Sequence, residues 1–154
     1  MAEWSANAVQ TVNPGEDIVF TNNPVPCTRK LVRLRDGTGA FRLKGYVAYR
    51  GCPCKAPDTA VYLVDFGANI AVPTGQTVGA ISVAVMVDGV TVPASTMTVT
   101  PAAVEEFFNV SAAINAQVDR GCCQTVSIRN TSDIPILVQN ANVIFSRPDL
   151  TVSR

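Results

Sequence analysis

Residues 78–100 read VGAISVAVMVDGVTVPASTMTVT. Residues 78–87 are almost all apolar, as a strand covered on both faces would be. They are interrupted by Gly79 and Ser82, and the run falls well short of the roughly 20 residues a membrane helix needs. Asp88-Gly89 is a tight-turn signal. Beyond that turn, residues 90–100 are rich in Val and Thr, whose branched β-carbons suit a pleated backbone. Two neighbouring strands are therefore expected here, and an all-β fold frames the rest of the chain.

The same pattern extends outward in both directions. RKLVRLR (29–35) sets Val32 and Leu34 against Arg33 and Arg35, the period of a half-buried strand. DGTG (36–39) is a turn. FRLKGYVAY (41–49) sets Phe41 and Leu43 against Arg42 and Lys44, so the two runs predict a hairpin. RGCPCKAPD (50–58) reads as a loop, because Pro53 and Pro57 block ladder pairing. AVYLVDF (60–66) is the next strand, and VPTGQ (72–76) a turn. Toward the C-terminus, strands are expected over 124–130, 136–139 and 142–145, with TSD turning between the first two.

Residues 101–118, PAAVEEFFNVSAAINAQV, begin in the manner of a helix. Thr100 is placed to cap, Pro101 takes the first position and Glu105 and Glu106 come next. Asn109, Val110 and Ser111 then break the helical pattern. The expectation is a turn over 101–106 and a strand from Phe107. Strands and turns recurring every 8–12 residues or so indicate a sandwich or barrel.

Composition narrows the function. The chain has 154 residues, enough for one domain with a sizeable core, and it shows no internal repeat or linker. Only 16% of residues are charged, 47% are hydrophobic and the formal net charge is zero, a balance that favours association. Residues 1–55 hold 8 basic and 4 acidic residues, and the remainder holds 4 and 8. That modest asymmetry suits contact between protein surfaces better than nucleic acid. MAEWSANAVQ, at the start, lacks the basic and apolar regions of a secretory signal, so synthesis in the cytoplasm is expected, with no membrane partner.

Two segments carry a family resemblance: FGANIAVPTGQTVGAISVAVMVDGVTVPAS (66–95) and QTVSIRNTSDIPILVQNANVIFSR (124–147). An apolar strand, DG, a β-branched strand and a closing N-x-S…I…N-A run resemble trimeric jelly-roll heads. These are the tumour-necrosis-factor-like and complement-type globular heads, among them the heads of bacterial collagen-like spore-surface proteins, and the similar capsid decoration proteins of bacteriophages and prophages. No Gly-X-Y stalk is present. The resemblance implies a single jelly-roll β-sandwich of about ten strands over residues 1–154, with residues 1–20 extended, assembling as a homotrimer. It further implies a virion-surface protein that binds a major capsid protein, or alternatively a head that binds a host glycan or receptor. The aromatics Tyr62, Phe66, Phe107 and Phe108 are candidates for the three-fold axis or for ordinary core.

The chain contains no histidine, the commonest general base, so an enzyme is not expected, and neither is a cofactor. Glu105 and Glu106 read as a solvated turn rather than a catalytic pair. The five cysteines invite three readings. A zinc site wants knuckles of wider spacing than Cys52-Pro-Cys54 or Cys122-Cys123, with Cys27 as a fifth donor. A disulfide from Cys52 or Cys54 to Cys122 or Cys123 is the second. Free thiols acting as small hydrophobes are the third. Arg29, Lys30, Arg33 and Arg35 form the basic cluster expected to dock on a capsid, or simply the solvent face of a strand. NVS (109–111) and NTS (130–132) match glycan acceptor patterns but need a secretory route to matter.

Overall fold

A computed structural model describes residues 1–27, 29–47, 51–121 and 123–150. Its strands are β1 (Ala2–Ala6), β2 (Gln10–Val12), β3 (Asn22–Val25), β4 (Val32–Leu34), β5 (Phe41–Lys44), β6 (Thr59–Ala71), β7 (Ile81–Val87), β8 (Val90–Thr91), β9 (Met97–Val99), β10 (Phe108–Asp119), β11 (Cys123–Asn130) and β12 (Ile136–Ser146). They form two six-stranded sheets. The first runs β10-β6-β12-β1-β3, with β2 also on β12; the second runs β4-β5-β11-β7-β8, with β9 also on β7. The pairings are antiparallel. From β9 onward the chain crosses from sheet to sheet at each step, the winding of a jelly roll.

The period-two pattern places the core. In β6, Tyr62, Val64, Phe66, Ala68 and Ile70 are buried, while Leu63, Asp65, Gly67 and Asn69 face the other way. Between the sheets Phe41 packs on Trp4, Phe20 and Phe145, with ring centroids 5.1, 5.4 and 4.8 Å away. The expected hairpin forms with Val32 opposite Leu43 and Leu34 opposite Phe41. Asp88 and Gly89 both take left-handed φ, 50° and 78°, as a two-residue hairpin turn requires. Residues 101–107 turn, held by Glu106, whose carboxylate accepts from the Ala102 and Ala103 amides.

Two expectations are corrected. The single strand over 90–100 is two short ones, because Pro93 has no N–H for the ladder and opens a 3-10 turn, Pro93–Ser95. Ser95 pins that turn by accepting from the Val85 amide at 2.9 Å. The two closing strands are one, β12, whose register slips between Gln139 and Asn142 where Asn140 adopts φ 51°. Within residues 1–20, expected as an extended segment, the chain forms β1 and β2, and Ala2, Trp4, Ala6 and Val12 are core residues.

Candidate functional site

The hairpin β4–β5 forms one edge of the second sheet. Its inner residues, Val32, Phe41 and Leu43, are buried, so alternation turns Arg33, Arg42 and Lys44 outward. Arg33 stands directly opposite Arg42, and Lys44 directly opposite Cys123. Arg35 continues the row beyond β4. Arg120, in the turn before β11, lines the same surface beside Arg42, Lys44 and Tyr46. Among the described residues none of these five cations forms an ion pair; the ion pairs there are Arg129–Asp17 and Arg147–Asp149. Asp36, at the hairpin tip, lines the adjoining groove. Like charges set directly across a ladder destabilise it, so the sheet carries an electrostatic cost that a facing anion would relieve.

The basic cluster read from 29–35 divides in space. Arg33 and Arg35 belong to this face. Lys30 adopts φ 53°, and Arg29 lies beside a separate cleft with Arg147. Arg42, Lys44 and Arg120 were missed as site residues. The alternation of Arg42 and Lys44 was visible, but only the register shows that they continue the row from Arg33.

Cysteine placement corrects the cross-segment disulfide. Cys52 is bridged to Cys54, with Cα atoms 5.4 Å apart, so neither reaches the second pair. The segments are neighbours nonetheless, since the Arg120 amide donates to Asp58 O at 2.8 Å. Cys123 is free and exposed, accepting from Arg42 Nη2 at 3.0 Å. Cys122 lies outside the described residues. Cys27 is half-buried at the far end of the hairpin, and no group of His, Cys, Asp and Glu suited to a metal gathers among the described residues.

Of the candidate axis aromatics, Tyr62 and Phe66 are buried within the subunit and so do not line an intersubunit axis. The hydroxyl of Tyr62 donates to the Lys44 carbonyl, which ties β6 to the basic hairpin. Phe107 is half-buried and Phe108 exposed, at the start of the edge strand β10. The outer face of the first sheet carries few charges. Leu63, Leu137 and Ile144 alternate there with Asn69, Asn115, Gln139 and Asn142, and Glu3, Asp65 and Asp119 are its carboxylates within the paired rows.

Burial raises the pKa of Tyr62, and the nearby Arg147 guanidinium opposes that shift only in part. A group whose folded pKa lies above its unfolded one contributes stability below the unfolded value, and that stability is lost as pH climbs through the folded one. Wild-type stability should therefore fall above pH 10. Tyr62→Phe should flatten that slope, as followed by denaturant unfolding at several alkaline pH values; an unchanged slope assigns the loss elsewhere.

No family model matches the chain, and no curated protein matches it. Solved structures do. The globular domain of zebrafish complement 1qA protein aligns with TM-score 0.59 at 13% identity, over 93% of this chain and 94% of that one. The Eiger tumour necrosis factor of S. frugiperda aligns with TM-score 0.62 at 11% identity, over 99% and 95%. Murine APRIL at pH 5.0 gives 0.52 at 12% identity, over 92% and 97%. The chain thus has the two-sheet jelly-roll fold of the complement and tumour-necrosis-factor-like globular heads.

Proposed function

We propose that this protein is a non-enzymatic binding head that self-associates through the charge-poor face of its first sheet and docks an acidic protein surface with the cationic face of its second. The five cations on β4, just beyond it, on β5 and in the turn before β11, without an ion pair among the described residues, carry the reading. They lie on a rigid sheet edge, where charge is held in place for a partner rather than dispersed on a flexible tail. The copy number we propose is three, following the resemblance to trimeric heads. The acidic surface we propose is a virion capsid, which makes the protein a decoration protein assembled in a host cytoplasm.

The deciding experiment is occupancy on purified virions. Arg33→Glu with Arg42→Glu should fold normally, since both side chains are exposed, yet be lost from the particles at physiological salt. Unchanged occupancy would remove the docking face from the proposal. Native mass measurement checks assembly separately: a trimer is expected, reduced to monomer by Leu63→Arg with Ile144→Arg, and a wild-type monomer at micromolar concentration would end the self-association half. A second reading, an anionic-glycan head, draws on exposed Tyr46 between Lys44 and Arg120, an aromatic platform among cations. Retention on sulfated glycans together with absence from virions would favour it.

A further inference from the structure

A second site lies at one end of the sandwich, where β12 finishes. Here a cleft of about 130 Å³ is walled by Ala2, Leu31, Val32, Phe145 and Leu150, with Cys27 and Tyr62 also lining it. The charged residues of its lining are Arg29 and Arg147. Arg147 is buried, its side chain only 4% exposed. Asp149 fixes two of its nitrogens, with Nε to Oδ1 at 2.8 Å and Nη2 to Oδ2 at 2.6 Å. The guanidinium carbon sits 4.8 Å from the Tyr62 ring centroid, so the ring fixes the plane. The third nitrogen, Nη1, is buried and has no hydrogen-bond partner among the described residues.

An unsatisfied buried donor on a charged group is a costly thing to keep. Its direction is already set by Asp149 and Tyr62, so an acceptor arriving at Nη1 meets an organised donor. Arg147 is charge-balanced by Asp149, but Arg29 has no ion pair among the described residues. Among the described residues the cleft is therefore net positive, and the rest of its wall is largely apolar. A cavity near 150 Å³ holds a benzene-sized molecule, so this one suits about six to eight non-hydrogen atoms. We propose that the cleft binds a small monocarboxylate with a short apolar tail, its carboxylate on Arg147 Nη1 and Arg29, its tail against Leu31, Val32 and Phe145. This site is separate from the cationic sheet face and does not depend on its role.

The test uses isovalerate and its neutral amide, isovaleramide, with the whole protein, read by ligand-observed NMR and calorimetry. Isovalerate should bind saturably with a Kd on the order of 1 mM, as its size permits. The amide should bind about tenfold more weakly, since it cannot pair with two cations. Arg29→Ala, at an exposed position, should weaken isovalerate several-fold with an unchanged melting temperature. Arg147→Lys, which keeps the charge but loses the Nη1 position, should abolish binding; if that variant fails to fold, Arg29→Ala decides. Equal affinity for acid and amide, no saturable binding, or an Arg29→Ala protein that binds as wild type would each overturn the proposal.

Discussion

Phe41→Ala is expected to destabilise the protein by about 3–5 kcal/mol, the range for deleting a fully buried aromatic ring. Phe41 has no exposure and is in ring contact with Trp4, Phe20 and Phe145, which come from β1, the segment after β2, and β12. Removing it opens a hole shared by both sheets, and the ladder-bound strands around it have little freedom to collapse inward. At this chain length the loss corresponds to a melting temperature lower by roughly 6–20 °C. Urea unfolding should show a lower midpoint with an unchanged slope. A loss below about 1 kcal/mol would mean the ring is not the hub its contacts describe. Phe108→Ala is the contrast: that ring is exposed in the subunit, so its removal should change subunit stability by no more than about 0.5 kcal/mol.

That contrast marks where sequence reading runs out. Tyr62, Phe66, Phe107 and Phe108 are alike in composition, yet two are core and two reach the surface. Period two within AVYLVDF puts Tyr62 and Phe66 on one face, but which face turns inward depends on Phe41, Trp4 and Phe145, distant in sequence. The fold class was legible because turns such as Asp88-Gly89 and alternations such as FRLK are local signals. The bulge at Asn140 was not, since Gln139 and Asn142 carry no mark of a register slip. The cationic face was half legible: Arg33 and Arg35 were evident, whereas Arg42, Lys44 and Arg120 join them only through cross-strand register. Nor was the Arg147 cleft visible, because Arg147, Tyr62 and Arg29 are brought together by three separate elements.

Gly39→Ala should be at least as damaging as Phe41→Ala, for a different reason. A Cβ at Gly39 would lie 1.9 Å from the Ile18 carbonyl oxygen and 2.9 Å from its carbon. Both are backbone atoms, so no side chain can swing aside. The Ile18 carbonyl is itself held, since the Val19 amide of the same peptide donates to Gln10 Oε1 at 2.9 Å, the Ile18 amide donates to Ile128 O at 2.8 Å, and neighbouring Asp17 pairs with Arg129 at 3.0 Å. The hairpin tip must then move away from the segment at Asp17 and Ile18, taking with it the strand ends that carry Arg35 and Phe41. The expected loss is roughly 3 kcal/mol or more, beyond the usual cost of overpacking because backbone rather than side chain must shift. Gly79→Ala is the internal control. Nothing lies within 4 Å of a Cβ there, so the same change should be neutral or stabilising by up to about 1 kcal/mol through the unfolded chain. Thermal unfolding of the two variants side by side separates the effects. Equal stability would show that the approach of Ile18 to Gly39 is relaxed in solution, and the cationic hairpin would then lack the backbone contact that seats it.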